Sequence, residues 1–449
     1  MAAVCQDADN DEPQPVDIDT EFVLGACRNL VVVDQLSICR FSHLSVREYF
    51  QQQHHWILDQ ADELVAKVYL LLLNHPSSWK TALWDKESGE TEPLGRLLVY
   101  ARSLWPEHLH KIGEIAMKDR LAIMLRKFLG PTERSGPAYR NWYSGYSKSY
   151  YQYEFQSNSC LRDNLNLLDP PTSALLPICI FGFEHIMEEL CKAGKLDANQ
   201  QNSKGYSLLA LAARGGNATI AKLLLENGAE VNAQLGGRHG SVLAAAASAG
   251  SEATVRLLLE NGADVNAQLG GDYGSALAAA AREGEKATVR LLLENGADVN
   301  AQLGGDYGSA LAAAAWKGSE ATVRLLLERG AELNRRGGPY GSVPNISAFQ
   351  GRTDILRLLY DQYSGNRQLC DDQGRTPLHL AARGGHKEAF DYLVGSGLDP
   401  TVKDAKGDSI THYAASGAAP ELLNEVLDKY YADLSQSQFW SPLHWAAPK

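Results

Sequence analysis

The sequence has few of the features that mark secreted, membrane-spanning or nucleotide-hydrolysing proteins. Its start, MAAVCQDADNDEP, contains no basic stretch followed by an apolar core, so no signal peptide is predicted. Apolar runs such as Val68 to Leu73 are too short to span a bilayer, and no membrane contact is expected. No GxxxxGK[ST] phosphate loop occurs in the 449 residues, so no nucleotide is expected either.

Cysteine is also infrequent, and acidic residues outnumber basic ones. The seven cysteines are scattered without CxxC spacing, which favours free thiols in a reducing compartment. The sequence therefore predicts a cytoplasmic protein, with the nucleus as an alternative. The net charge of -12 argues against nucleic acid as the main partner, because a nucleic-acid binder needs a basic face to neutralise phosphates. A local basic patch stays open as an alternative.

A fixed repeat dominates the second half of the chain. Residues 254–268 and 288–302 have the identical sequence TVRLLLENGADVNAQ. Four glycines end equivalent phrases at intervals of 34 residues, namely Gly228, Gly262, Gly296 and Gly330. Such a period is typical of a solenoid, in which a helical unit that cannot bury its apolar face alone stacks on its neighbours. A solenoid offers a long binding surface and no catalytic cleft.

Four regions follow from the composition along the chain. Residues 1–19 are acidic and contain prolines, which predicts a disordered tail. Residues 20–130 predict a helical domain, winged-helix-like and then a helical bundle, with a hairpin formed by Leu30–Val33 and Ile38–Phe41. Residues 131–169 are an aromatic-rich connection, interpreted as a packed segment or a mobile loop. Residues 170–449 are repeats, of which the last is incomplete.

The copy from Gly374 to Pro400 reads GRTPLHLAARGGHKEAFDYLVGSGLDP and closely resembles the ankyrin repeat. The matching residues are Gly374, Thr376, Pro377, Leu378, His379, Ala381, Ala382, Gly384, Leu393, Gly397 and Asp399. The resemblance covers about residues 170–447 and implies an all-α ankyrin-repeat solenoid of roughly eight to nine units. The 34-residue copies depart from it: SALAAAA replaces TPLHLAA, and LGGDYG is one residue longer than the usual loop, which leaves the hairpin tip undetermined.

A second resemblance concerns the N-terminal region. ICRFSHLSVREYF (38–50) and YARSLWPEHL (100–109) are similar to the helical region that follows the NTPase module of fungal NACHT–ankyrin proteins of the NLR type. This resemblance implies that the repeats act as the sensor of a receptor. Because the phosphate loop is absent, the ATPase activity of that family is not carried over. The unfinished repeat at Lys449 suggests a partial gene product or an incomplete gene model.

Three N-terminal histidines are candidate sites of chemistry. His43 beside Ser42 and Ser45 could pair a base with a nucleophile, but a histidine that fastens a helix start is the favoured interpretation. His108 and His110 lie on different helix faces, which disfavours a metal site.

The remaining polar candidates have structural interpretations. His379, His412 and His444 recur at the ankyrin motif position and are expected to brace adjacent loops. The pair Asp371–Asp372 predicts a solvated turn. Cys179 and Cys191 are expected to be core residues. No catalytic residue, metal ligand or cofactor is predicted.

Near-identical copies differ at a few aligned positions, and these predict a recognition surface. One group is expected at the hairpin tips and the other, with Ser248 and Ala249 as counterparts, at the end of the first helix of each repeat. The predicted protein-binding residues are Arg238, His239, Asp272, Tyr273, Asp306, Tyr307, Arg282, Trp316, Glu283 and Lys317. As alternatives, the tyrosines rigidify the hairpins, or the variation followed duplication without consequence.

The sequence as a whole predicts a non-enzymatic protein-interaction module that recognises an unidentified protein partner. Its role as the sensor part of an NLR-like receptor is a hypothesis. Two alternatives remain, a regulator that binds a NACHT NTPase in trans and an enzyme with an unrecognised site in residues 20–160.

Overall fold

The computed structural model describes residues 31–33, 39–41, 70, 73–74, 120–132, 134–149, 164, 166–168, 173–194, 196–268, 270–301, 304, 307–333, 341–362, 370–417 and 420–430. The chain divides into two units, Met1–Gly194 and Lys195–Lys449. The acidic segment 1–19, His43, His108, His110 and the last repeat with His444 lie outside the described residues.

The first unit contains the predicted hairpin. Strand β1 (Val31–Val33) pairs with strand β2 (Cys39–Phe41) in antiparallel orientation, with Val32 opposite Arg40. This pairing confirms the expected hairpin. It is the one sheet among the described residues, and the rest of their regular structure is helical.

The aromatic-rich connection contains a helix that the sequence did not predict. Helix α1 (Arg120–Leu129) is followed by α2 (Pro137–Ser149). Tyr139 and Trp142 are fully buried, with ring centroids 5.4 Å apart, and Phe128 of α1 meets Tyr139 edge-on at 5.8 Å. Proline is well accommodated in a first helical turn, and a spacing of three residues places both rings on one helix face. The expected aromatic packing is therefore confirmed for these two residues, within a helix instead of a loop.

A helical pair ends the first unit. Helix α3 (Leu175–Phe181) stops at Gly182, which has a φ of 80°, and α4 (Glu184–Lys192) follows. This pair lies within the repeats predicted from residue 170 onward. Cys179 is buried, Cys191 is partly buried, and both are free thiols, as expected for small core residues.

The second unit is a stack of helix pairs. In its described part, the first helices are α5 (Leu208–Arg214), α7 (Val242–Ser248), α9 (Ala276–Glu283), α11 (Ala310–Lys317), α13 (Val343–Phe349), α15 (Pro377–Gly384) and α17 (Ile410–Ser416). The second helices are α6 (Ala218–Glu226), α8 (Glu252–Glu260), α10 (Lys286–Glu294), α12 (Glu320–Glu328), α14 (Thr353–Gln362), α16 (Lys387–Gly395) and α18 (Pro420–Tyr430). Each first helix packs against the first helix of the next pair, which is the solenoid arrangement.

Local sequence explains where these helices begin and end. A serine precedes each of α5, α7, α9, α11 and α13, and its hydroxyl accepts a hydrogen bond from the backbone N–H three residues later. Each glycine of the 34-residue series has a φ between 84° and 87° and follows the end of a second helix, as the sequence predicted. Pro344 is the second residue of α13, where a proline removes no hydrogen bond, so this degenerate copy still forms its helix.

The core follows from the difference between the two helices of each repeat. Alanines such as Ala278 and Ala279 are fully buried in the first helices, and their small size lets neighbouring repeats approach closely. The second helices supply bulk through residues such as Leu258, Leu292 and Leu326, which are also fully buried. Burial of each leucine contributes roughly 1.5–3 kcal/mol.

Candidate protein-binding surface

A column of rings connects three consecutive repeats at the base of the hairpin loops. The Tyr206 hydroxyl and His239 Nδ1 are hydrogen-bonded at 3.1 Å. The ring of His239 lies 5.8 Å from the ring of Tyr206 and 5.7 Å from that of Tyr273. His239 and Tyr273 are each only 4% exposed. The expectation that these two residues are exposed is therefore wrong, because rings of adjacent repeats cover one another.

Burial also fixes the charge state of this column. It lowers the pKa of His239 to about 3, and the positive charges of Arg214 and Arg238 act in the same direction. Burial raises the pKa of Tyr273 to about 12, with a further contribution from the carboxylate of Glu283. Both side chains are therefore uncharged at neutral pH, which is consistent with a packing role.

The hairpin tips carry an exposed ion pair. Arg238 Nε lies 3.2 Å from Asp272 Oδ2, and both side chains are more than half exposed. The backbone N–H of Asp272 also donates to the carbonyl of Arg238 at 3.1 Å. These two residues are at the surface as predicted, whereas their aligned counterpart Asp306 lies outside the described residues.

The second predicted group forms a cluster of partly exposed side chains. Arg282 Nε donates to the Tyr307 hydroxyl at 2.7 Å, and the guanidinium lies 5.7 Å from the centre of the tyrosine ring. The Trp316 ring lies 6.0 Å from that of Tyr307 and 6.4 Å from that of Phe349. All four side chains are partly exposed. The cluster therefore presents aromatic surface next to a cation.

The buried column and the exposed cluster are linked. The Tyr273 hydroxyl donates to Glu283 Oε1 at 3.1 Å, and Glu283 Oε2 lies 3.9 Å from Lys317 Nζ. Glu283 adjoins Arg282 in α9, and Lys317 adjoins Trp316 in α11. The structure thus brings all the predicted residues into one contact chain along the stack, with the exception of Asp306.

The partly exposed residues belong to a longer row that the comparison of similar copies missed. The seventh residue after the serine or threonine that starts each first helix lies at or just before that helix's C-terminal end. We call these residues the helix-end row: Arg214, Ser248, Arg282, Trp316, Phe349, Arg383 and Ser416. Arg214, Phe349 and Arg383 were overlooked because they lie in divergent copies. Counting from the N-cap residue would have identified them.

Two motif histidines have structural roles. His379 Nδ1 accepts the backbone N–H of Thr376 at 3.1 Å, and His412 Nδ1 accepts that of Ser409 at the same distance. Both histidines are buried, and burial lowers the pKa of His379 to about 4. Their structural role is confirmed in a more local form than expected, since each histidine fastens the start of its own helix.

Of the pair Asp371–Asp372, one side chain is exposed to solvent and the other is buried. Asp372 is exposed, but Asp371 is 5% exposed and lies 2.5 Å from Arg375 Nε. Asp371 Oδ1 also accepts the backbone N–H groups of Gln373 and Arg375, each at 2.9 Å. The solvated interpretation is therefore wrong for Asp371, because this carboxylate closes the turn from inside.

Metal sites and membrane-spanning helices are both absent from the described residues. They contain no group of three or more His, Cys, Asp or Glu side chains placed to hold a metal ion. Within the same part of the chain, every helix is too short or too polar to cross a bilayer.

Comparison with known proteins identifies the repeats. The family described as "Ankyrin repeats (3 copies)" matches residues 156–235, 175–268, 242–337 and 342–404, together more than half of the chain. Alpha-latrocrustotoxin-Lt1a of Latrodectus tredecimguttatus is 27% identical over 113 residues, which are 25% of this chain and 8% of that protein. Ankyrin repeat domain-containing protein SOWAHD of Mus musculus is 39% identical over 88 residues, which are 18% of this chain and 27% of that protein.

A solved structure shows similarity over a greater length. The crystal structure of the human ASB11 ankyrin repeat domain covers 57% of this chain and 96% of its own, with 25% identity and a TM-score of 0.38. The chain spans less than a third of the length of either curated relative.

Proposed function

Since this chain belongs to the ankyrin-repeat family, we propose that it is a non-enzymatic interaction module whose helix-end row binds a protein partner. Ankyrin repeats generally bind proteins, and their fold is typically a scaffold without catalytic activity. One observation carries the proposal. Arg282, Tyr307, Trp316 and Phe349 form a connected, partly exposed cluster on a stack of rigid helices.

The composition of the cluster supports binding. Tryptophan, tyrosine and arginine are the residues most enriched among those that dominate the binding energy of protein interfaces. Trp316 and Phe349 already contact neighbouring rings, so they lose little conformational freedom when a partner covers them. A preorganised aromatic surface of this kind binds with a smaller entropic cost than a flexible loop.

The test is affinity purification of the tagged full chain from cells that express it, followed by measurement with the purified partner. We expect the double variant Trp316→Ala/Arg282→Ala to weaken partner binding at least about tenfold. Arg290→Ala is the matched control, because Arg290 is exposed on α10, outside the helix-end row. Equal binding by all three proteins, with unchanged melting, would exclude this surface.

A finer role is that of the sensor part of an NLR-like receptor in the cytoplasm, with the nucleus as an alternative location. It is supported by the resemblance of residues 38–50 and 100–109, which lie largely outside the described residues. Regulation of a NACHT NTPase in trans is the second candidate. The test mixes a purified NACHT module with the full chain. Direct binding together with a change in the ATPase rate of the NACHT module would favour the second candidate over the first.

A further inference from the structure

We propose that the helix-end row binds an extended, acidic segment of the partner with an apolar side chain at its centre. This inference rests on the proposed function and adds the chemistry of the partner. It follows from the order of residues along the row, in which arginines stand on both sides of an aromatic pair.

All the charged residues of the helix-end row are positive. Arg214, Arg282 and Arg383 occupy the same position in three repeats, and all three are partly or largely exposed. Within the described part of the chain, none of them lies within 4.0 Å of a carboxylate, and the hydrogen bond of Arg282 is to the hydroxyl of Tyr307. The row itself contains no acidic residue although the whole chain carries a net charge of -12. Exposed guanidinium groups in such a row favour a ligand that brings carboxylates.

The centre of the row is apolar. Trp316 and Phe349 occupy it in consecutive repeats, with ring centroids 6.4 Å apart and an angle of 31° between the ring planes. Tyr307 extends this surface on the side of Arg282. An apolar side chain of the partner that covers these rings would gain roughly 25 cal/mol for each Å² removed from water.

The geometry of the stack sets the length of the ligand. Packed helices lie about 8–10 Å apart, so Arg282 and Arg383, three repeats apart, are separated by about 24–30 Å. An extended chain advances about 3.3 Å per residue and covers this distance in roughly seven to nine residues. The ligand is therefore a segment of about nine residues with carboxylates near both ends.

The acidic residues beside the row favour a protein over a nucleic acid as the partner. Glu283 adjoins Arg282, and Asp272 is exposed at the neighbouring hairpin tip. A nucleic-acid strand has a phosphate at every nucleotide, so it would place negative charge next to these carboxylates. A peptide, in contrast, can place carboxylates opposite the arginines and no negative charge opposite Glu283 or Asp272.

The experiment selects peptides on the immobilised full chain from a displayed library of random twelve-residue sequences. A pool of random single-stranded RNA is measured in parallel. We expect enriched peptides to have Asp or Glu on both sides of an apolar residue. Their affinity should fall at least about tenfold in Arg282→Glu/Arg383→Glu and in Trp316→Ala. Arg256→Glu and Arg290→Glu, which change exposed arginines on second helices, should leave it unchanged.

Failure of the proposed ligand chemistry and failure of the proposed binding surface give different results. Enrichment of basic or uncharged peptides, enrichment of no peptide, or tighter binding of RNA would overturn the acidic-segment proposal. If Trp316→Ala/Arg282→Ala loses the purified partner but selected acidic peptides do not compete for it, the binding surface stands and the proposed ligand chemistry is wrong. If the partner binds every row variant, the proposed surface itself is wrong, whatever the peptides show.

Discussion

At the scale of single residues, identical positions in near-identical repeats have different environments. Tyr273 and Tyr307 both stand two residues before an N-cap serine, yet Tyr273 is buried and Tyr307 is partly exposed. The difference comes from their neighbours. Tyr273 contacts the ring of His239 and bonds to Glu283, whereas Tyr307 meets Arg282 and Trp316 nearer the surface.

This difference predicts unequal effects of the same substitution. Tyr273→Ala should lower the free energy of unfolding by about 3 kcal/mol, because it removes a buried aromatic ring. Tyr307→Ala should cost clearly less stability and should act mainly on partner binding. Urea denaturation of both variants, followed by circular dichroism, measures the difference. Equal losses of stability would contradict the assigned environments.

His239 predicts an acid-sensitive stability. Its folded-state pKa of about 3 lies below the ordinary value of 6.5, so between these values the unfolded chain binds more protons than the folded one. Stability therefore falls as pH decreases from 6.5 toward 3, by up to about 1.4 kcal/mol per pH unit. His239→Tyr, which introduces the residue found at this position in the next two repeats, should reduce this slope.

The measurement is the melting temperature at pH 7 and pH 5 for both proteins. His379 should leave a residual slope of the same sign in the variant, because its pKa is also lowered, to about 4. An unchanged difference between the two pH values would show that His239 is protonated or accessible in the folded protein.

At the scale of helices, each repeat pairs a first helix of small buried residues with a second helix of bulky buried residues. Within α10, Leu292 is fully buried and Leu293 is partly exposed, although they are adjacent leucines. A helix turns about 100° per residue, so Leu293 points away from the side on which Leu292 is buried. The pair offers a matched test of how the spine of the stack is built.

Leu292→Ala should destabilise the stack by about 2–5 kcal/mol through lost burial and a residual cavity. Leu293→Ala on the same turn should cost less than half as much. Guanidinium denaturation of the full chain, read by helical circular dichroism, compares the two. A larger loss for Leu293→Ala would mean that the helix faces are assigned in reverse.

At the scale of the whole second unit, a ladder of asparagines connects successive repeats. The Asn266 amide donates to the carbonyl of Gly296 at 2.9 Å, and its oxygen accepts the N–H of Asp298 at 2.8 Å. Equivalent pairs of bonds recur one repeat earlier at Asn232 and one repeat later at Asn300. Each asparagine thus ties its own loop to the next one.

This ladder predicts that one asparagine controls the cooperativity of unfolding. Asn266→Ala removes two bonds between repeats, each contributing about 0.5–1.5 kcal/mol, so the denaturation transition should broaden. Asn261 is the control, because its amide donates to Leu257 O at 2.8 Å within its own helix end. Asn261→Ala should shift the midpoint without broadening. Identical transitions for both variants would argue against coupling through the ladder.

Much of the architecture was predictable from residues whose role is local. Gly228 and its 34-residue equivalents ended helices as expected, and His379 and His412 fastened helix starts. The candidate site was only partly predictable. Aligned variation located Trp316 and Arg282, but it also selected His239 and Tyr273, whose burial depends on rings from neighbouring repeats. Asp371 was misjudged for the same reason, since Arg375 and the turn amides enclose it.

The period of glycines, alanines and leucines by itself determined that the repeats form stacked helical pairs, which the structure describes between residues 203 and 430 with short gaps. These constraints act within one repeat or between copies of it. Tertiary structure alone decided which variable side chains reach the surface, since that depends on what the adjacent repeat places beside them. Likewise, counting from the N-cap residue selects Arg214, Arg282 and Arg383 together with Trp316 and Phe349, but only the stacking of the first helices places them side by side. Residues distant in sequence then share one face of the protein.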